Sequence, residues 1–135
     1  MSKERMQAII AEAEYGMLAS AVDGRPRVRP MAFVLTEDFK LWSSTYAGSG
    51  KHRELQANEH VEVCFVDKAK VQLRVTGTVD CSGGPAKKRR LLQLNPRVGR
   101  HFTDEHDPNY VHLEITPTSA RWTQPGFGEY DEIEL

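Results

Sequence analysis

The segment 71–81 constrains the fold most, because polar and apolar residues alternate along it without interruption. One face carries Val71, Leu73, Val75, Gly77, Val79 and Cys81, and the other carries Gln72, Arg74, Thr76, Thr78 and Asp80. Strict period-two alternation is typical of a strand with one face in a core and the other towards solvent. A glycine in the middle of such a strand predicts a bend or bulge, which barrels use to close.

Further segments have strand patterns and are joined mostly by short turns. They are residues 15–22, 25–36, 40–45, 61–66, 111–115 and 120–123. Asp23-Gly24 is a hairpin turn signal between the first two of these segments. Residues 61–66 are apolar almost throughout, so we expect that strand to be buried on both faces. The tail from Gln124 is rich in glycine and acidic residues and is expected to be loosely held.

Three segments have the periodicity or start signals of helices, namely residues 3–14, 51–58 and 85–95. Consecutive strands with few long crossovers argue against a doubly wound sheet. The expected fold is therefore mainly β (α+β), an antiparallel barrel of six or seven strands with peripheral helices. At 135 residues the chain is expected to form a single domain.

Composition limits the partners that this chain is expected to have. Lys and Arg number 18 against 19 Asp and Glu, for a net charge of −1, which argues against binding nucleic acid or a membrane surface. The sequence contains no apolar run of about 20 residues, the length of a membrane span, and it begins without an apolar signal sequence. The two cysteines are expected to be small core residues rather than a redox pair. These features predict a cytoplasmic protein.

Several devices that bind anions converge in one short stretch. Ser44-Thr45 ends a strand, and Gly48-Ser49-Gly50 leads to Lys51 at the start of a predicted helix. Backbone N–H groups, the helix dipole and a lysine together suit a phosphate monoester. A P-loop is excluded, because Thr45 stands where its first glycine belongs and His52 stands where a hydroxyl must follow the lysine. A flexible surface turn with a solvated lysine is the alternative.

Other charged residues give weaker indications of a binding or catalytic site. Arg27 and Arg29 share a strand face, and either one could add a second anion contact. The run 87–90 (Lys-Lys-Arg-Arg) is interpreted as a solvated helix face. The histidines lack the spacing of a metal site, so no metal ligand is assigned. No nucleophile, acid or base can be identified from spacing, and the catalytic residues stay unassigned.

In this order and spacing, five short motifs resemble a known family. They are Pro26-Arg27-Val28-Arg29-Pro30-Met31, Ser44-Thr45, Lys51-x-x-x-Leu55-x-x-Asn58-x-x-Val61, Gln72-Leu73-Arg74-Val75-Thr76-Gly77, and Ile115-Thr116-Pro117 with Trp122. Over residues 6–123 the chain resembles the pyridoxamine 5'-phosphate oxidase-like, FMN-binding split-barrel superfamily. The resemblance is to its small bacterial, nitroimidazole-resistance-type branch.

The resemblance implies one FMN-binding split-barrel domain over residues 1–135, and a homodimer with FMN at its interface. Lys51 would hold the FMN phosphate, helped by Ser49 and the backbone of Gly50. Ser44 and Thr45 would lie along the phosphate and the ribityl chain.

The same resemblance implies how the flavin ring is held. Arg29, Pro30 and Met31 would pass under the isoalloxazine edge, mostly through backbone groups. Gln72 matches a glutamine of the family that reaches the flavin.

Two departures from the family pattern narrow the expected function. The arginine that commonly precedes the phosphate lysine is Gly50 here, and the Arg-Leu-x-Pro signature of true pyridoxamine phosphate oxidases is absent after Trp122. The resemblance therefore implies an FMN-dependent oxidoreductase that acts on another small molecule. The alternatives are a non-enzymatic binder of haem or a deazaflavin, a stress-related sensor, or a cofactor-free interaction module on the same barrel.

Overall fold

The computed structural model describes residues 1–126 and 128–135, and within them it contains eight strands, three α-helices and one 3₁₀ segment. The strands are β1 Gly16–Val22, β2 Arg25–Met31, β3 Val34–Leu35, β4 Leu41–Tyr46, β5 His60–Val66, β6 Gln72–Asp80, β7 Tyr110–Thr123 and β8 Asp131–Ile133. The helices are α1 Lys3–Ala13, α2 Gly50–Ala57 and α3 Pro85–Leu94, and the 3₁₀ segment is Pro96–Arg100. None of these helices is long and apolar enough to cross a bilayer.

The strands form one antiparallel sheet that curls into a barrel. Its order is β2-β1-β5-β6-β7-β4-β3, and β8 pairs with β7 outside this path. The two end strands, β2 and β3, are separated in the chain only by Ala32 and Phe33, so the chain itself joins the two edges of the sheet. This architecture confirms the predicted fold class, mainly β and antiparallel with peripheral helices.

The predicted strand boundaries were wrong in two places, and the expectation of a loose tail was wrong as well. The segment 25–36 is two strands, because Phe33 turns into the core between β2 and β3. The segments 111–115 and 120–123 are one continuous strand, β7. The tail is not loose where it is described, because β8 pairs with β7 and buries Ile133. Phe127, which also belongs to that tail, lies outside the described residues.

Burial along β5 also differs from the prediction. Val61, Val63 and Phe65 are buried, whereas Glu62 and Cys64 between them are partly exposed. The outer face of β5 is polar at Glu62, whose carboxylate pairs with arginines of β6 and β7. One face of this strand is therefore core and the other is not.

Two apolar clusters hold the fold together. The larger fills the barrel and includes Leu18, Val63, Leu73 and Leu113, with α1 contributing Met6, Ile9 and Ile10. The smaller consists of Leu91, Val98, Phe102 and Tyr110, with Trp42 packed against it. Burying one such side chain contributes about 1.5–3 kcal/mol. The smaller cluster fixes the 3₁₀ segment against the strands, which matters for the site.

Gly77 marks the expected irregularity in β6. The register between β6 and β7 shifts between Thr76 and Gly77. A Cβ atom at Gly77 would collide with the carbonyl oxygen of Thr116 and lie 3.0 Å from Cγ2 of Ile115. The bulge therefore requires glycine for close backbone approach.

We predict that Gly77→Ala lowers the free energy of unfolding by about 1–3 kcal/mol, because overpacking forces the backbone of β6 away from β7. Urea denaturation followed by circular dichroism measures this change. Gly50→Ala is the control, because a Cβ atom there meets nothing within 4 Å. Equal stability of the two variants would contradict the close approach.

Candidate functional site

A cleft of about 370 Å³ opens where β2, β4, α2 and the 3₁₀ segment meet. Cavities that bind small molecules have volumes of roughly 300–1,000 Å³. One wall comes from Pro30, Met31 and Ala32 at the end of β2, and the floor comes from β4 between Ser43 and Tyr46. Lys51 and the 3₁₀ segment complete the lining. The cleft is therefore large enough for an aromatic ligand and has polar groups at one end.

The β4–α2 turn is built as the sequence analysis expected. Ser49 caps α2, and its Oγ accepts a hydrogen bond from the His52 amide at 3.1 Å. The same hydroxyl lies 3.2 Å from Oγ1 of Thr45. The amides of Gly50 and Lys51 open the helix and have no acceptor within it. Two hydroxyls and two backbone donors therefore meet at a helix N-terminus, where the dipole favours an anion.

Lys51 is the cation of this turn. The side chain of Lys51 lines the cleft, and the residue is partly buried. Burial lowers the pKa of Lys51, and the positive charge of Arg29 lowers it further. The desolvated ammonium group near a second cation would be stabilised by a bound anion.

Arg29 has a different place from the one expected of an anion ligand. Its Nη1 donates to Oγ of Ser20 at 2.8 Å, and its guanidinium forms an ion pair with Glu54 of α2. Its side chain is only 16% exposed. Arg29 does not line the cleft, and it ties β2 to α2 instead.

The structure brings most of the nine predicted site residues together. Pro30, Met31, Ser44, Thr45 and Lys51 line the cleft, and Ser49 and Gly50 form the adjoining turn. Arg29 lies behind this group. Gln72 lies apart on the outer face of β6, where its Oε1 accepts a hydrogen bond from the Tyr130 hydroxyl at 2.8 Å. The contacts of all nine with a cofactor stay predictions.

A further part of the cleft lining was not predicted from the sequence to belong to an FMN site. It consists of Arg97 and Arg100 on the 3₁₀ segment and of Asn95 and His101, the residues that flank it. Asn95 caps that segment by accepting a hydrogen bond from the Arg97 amide at 3.3 Å. The Asn-Pro start and the i, i+3 spacing of the two arginines were available signals. Among the described residues that line the cleft, none is acidic, so the whole site is basic.

Aromatic rings support the rim of the cleft. Phe102 stacks on Tyr110 with ring centroids 4.6 Å apart and planes inclined by 14°. The ring centroids of Tyr46 and Phe102 are 4.9 Å apart. The Tyr46 hydroxyl donates to the carbonyl oxygen of His101 at 3.4 Å. Flat side chains next to a basic turn suit a ligand with a planar ring and an anionic end.

Several other charged side chains and one histidine are paired or buried away from the cleft. Lys87 pairs with Glu114 at 3.0 Å, and Arg89 pairs with Glu105 at 2.9 Å. His112 is fully buried against Trp42, and burial lowers its pKa to about 4. Within residues 1–126 and 128–135, no three His, Cys, Asp or Glu side chains are grouped as metal ligands would be.

Comparison with known proteins agrees with this fold. The family model described as pyridoxamine 5'-phosphate oxidase matches residues 2–124. The chain therefore belongs to the pyridoxamine 5'-phosphate oxidase family, as the motif resemblance implied. No curated protein matches the chain.

Solved structures place the fold among small bacterial members of this group. General Stress Protein 26 from Bacillus anthracis str. Sterne is 26% identical, with a TM-score of 0.78 over 97% of this chain and 98% of that one. A NimC/NimA family protein from Clostridium acetobutylicum is 22% identical, with a TM-score of 0.85 over 98% of this chain and 91% of that one.

Proteins with this fold are described with different ligands. A pyridoxamine 5'-phosphate oxidase-related, FMN binding protein from Nostoc punctiforme is 17% identical, with a TM-score of 0.74 over 98% of this chain and 91% of that one. A heme binding protein from Mycobacterium smegmatis is 16% identical, with a TM-score of 0.77 over 96% of this chain and 56% of that one. An F420 reductase is 25% identical, with a TM-score of 0.67 over 84% of this chain and 94% of that one. The fold therefore does not select one cofactor.

The cap at Ser49 can be tested apart from any ligand. We predict that Ser49→Ala lowers the free energy of unfolding by about 0.5–2 kcal/mol, whereas Ser49→Asp keeps most of it, because aspartate also caps helices. Thermal denaturation of both variants measures this. Two variants of equal stability would show that the hydroxyl does not cap α2.

Proposed function

We propose that this chain binds FMN in the cleft, with the phosphate at the β4–α2 turn. One observation carries the proposal: a partly buried lysine, two hydroxyls and two backbone donors converge on a cleft whose described lining contains no carboxylate. A phosphate monoester is the anion that uses all of these donors together. The missing arginine at position 50 leaves Lys51 as the main phosphate cation.

The ring of FMN would lie along the end of β2. Pro30, Met31 and Ala32 offer backbone groups and apolar surface there, and the aromatic rim begins at Tyr46. When bound, FMN supplies hydride or electron transfer, and the protein supplies orientation and electrostatics. Because FMN would supply the redox chemistry, the chain need not supply an acid, a base or a nucleophile.

A homodimer would complete this site. Met17 and Val28 are 46% and 68% exposed on the outer face of β1 and β2. Met17 pairs across the strands with Pro30, which lines the cleft. The apolar surface therefore runs into the cleft, and a second copy that covers it would also close the cleft.

The substrate would be a small molecule with an acidic group. Arg97, Arg100 and His101 line the cleft. Such a wall favours a carboxylate or phosphate, and oxidation or reduction of that molecule is the proposed reaction. Vitamin B6 oxidation is not proposed, because the C-terminal Arg-Leu-x-Pro signature is absent.

A haem or deazaflavin binder is the second candidate. His101 lines the cleft, and a histidine at that position could serve as an axial ligand of haem iron. Absorption spectra separate haem from FMN, because haem gives a Soret band and FMN does not. If the protein purified from the organism that produces it shows a Soret band and releases no flavin on heating, the FMN proposal is wrong and haem is the cofactor.

We predict that Lys51→Ala weakens FMN binding roughly ten- to hundredfold, because a lost charge-assisted hydrogen bond costs about 1.5–3 kcal/mol. Lys68→Ala is the control, since Lys68 is an exposed lysine in the β5–β6 turn, outside the cleft. Calorimetric titration of the apo protein gives both affinities. Unchanged affinity in Lys51→Ala would place the phosphate elsewhere.

We also predict that FMN binds more tightly than riboflavin and FAD. Riboflavin leaves the donors of the β4–α2 turn facing water, and the adenylate of FAD needs room beside that turn. Titration with all three ligands measures the order of affinities. Sedimentation at each endpoint measures whether the protein is a dimer. Equal affinities for FMN and riboflavin would remove the phosphate argument, and a monomer at micromolar concentration would remove the interfacial site.

A further inference from the structure

The C-terminal segment contacts one of the predicted cofactor residues. Tyr130 lies just before β8, and its hydroxyl donates to Oε1 of Gln72 at 2.8 Å. Nε of Arg74 donates to the same hydroxyl oxygen at 2.8 Å. Three polar groups thus form a chain from Arg74 through Tyr130 to Gln72 on the outer face of the sheet.

The tyrosine ring is held as firmly as its hydroxyl. The guanidinium carbons of Arg74 and Arg121 lie 5.4 and 5.0 Å from the ring centroid. Both arginines also reach the carboxylate of Glu62, at 3.3 and 3.4 Å. The ring is therefore fixed by two cations that are themselves anchored to β5.

This chain of hydrogen bonds sets the direction of the Gln72 carboxamide. A guanidinium can only donate, so the Tyr130 oxygen must accept from Arg74. The hydroxyl hydrogen is then left to donate, and it is satisfied when Oε1 of Gln72 faces it. Nε2, the donor end of the amide, consequently points away from Tyr130, and none of the described residues accepts a hydrogen bond from it.

The free donor lies on the face where a second subunit is proposed. Met17 pairs with Cys64, and Cys64 pairs with Arg74, so these side chains share the outer face of the sheet. Gln72 is two residues from Arg74 and lies on the same face. The outer face of the sheet that carries Met17 therefore also carries Gln72.

We propose that Tyr130 is a positioning residue, whose hydroxyl, held by Arg74, turns the Gln72 amide so that it donates to the cofactor bound by the facing subunit. This role rests on the proposed function, since it needs both FMN and the dimer. The flavin ring carries carbonyl and nitrogen acceptors, so a fixed donor adds a contact that a freely rotating amide makes only part of the time.

Two variants test the contribution of the Tyr130 hydroxyl and of the Gln72 donor to FMN binding. Tyr130→Phe removes only the hydroxyl and keeps the ring between the arginines, so the melting temperature should change little. We expect it to lower FMN affinity about two- to tenfold, because one neutral hydrogen bond contributes about 0.5–1.5 kcal/mol. Gln72→Glu keeps an acceptor for Tyr130 but removes the donor, and it should lower the affinity at least as much.

A double-mutant cycle gives the decisive comparison. Gln72→Ala should weaken FMN binding, and adding Tyr130→Phe to it should weaken binding no further, because the hydroxyl acts only through Gln72. In the apo protein, the side-chain amide resonances of Gln72 should shift in Tyr130→Phe. This second readout does not depend on a cofactor.

The outcomes are distinguishable. If the wild type binds no FMN, the proposed function is overturned, and this role for Tyr130 is overturned with it. If the wild type binds FMN but Tyr130→Phe binds it equally well, the positioning role is overturned and the proposed function stands. Additive losses in the double mutant would also overturn it, because they would show that Tyr130 acts independently of Gln72.

Discussion

The ion pair between Arg29 and Glu54 determines both the geometry and the charge of the site. It connects β2, which forms one wall of the cleft, to α2, whose first turn carries Lys51. It also pairs the positive charge of Arg29 with a carboxylate. Lys51 lines the cleft beside the capped helix, and among the described residues it pairs with no carboxylate, as is also true of Arg97 and Arg100. A ligand with an anionic end matches this arrangement.

The remaining wall depends on the smaller apolar cluster. Leu91 of α3 and Val98 of the 3₁₀ segment pack on Tyr110 of β7, and this packing brings Arg97 and Arg100 to the cleft. The barrel thus supplies a rigid floor, and a peripheral segment supplies the groups that face a second molecule. Proteins of this fold with different ligands would be expected to differ most in such peripheral segments, because loops on a fixed scaffold carry specificity.

The sequence predicted well wherever local chemistry decides structure. Alternation predicted β6, Pro85 predicted the start of α3, and the Gly-Ser-Gly-Lys turn predicted the start of α2. It failed where distant contacts decide: the pairing of Arg29 with Glu54, the wall at Arg97, and the contact of Tyr130 with Gln72. Each of these joins residues far apart in the chain, and a residue pattern read along the chain does not contain them. The expected contact of Gln72 with the flavin came from the family resemblance alone. The orientation of its side-chain amide follows from the hydrogen bond with Tyr130.

The central claim is that the β4–α2 turn holds the phosphate of FMN, and phosphorus NMR tests it most directly. A free phosphomonoester loses its second proton with a pKa of about 6. Bound beside Lys51 and the helix N-terminus, the FMN phosphate should stay dianionic below that pH, so its resonance should move little where the free ligand titrates. A bound resonance that titrates like free FMN would show that the phosphate lies in solvent, and would contradict the account.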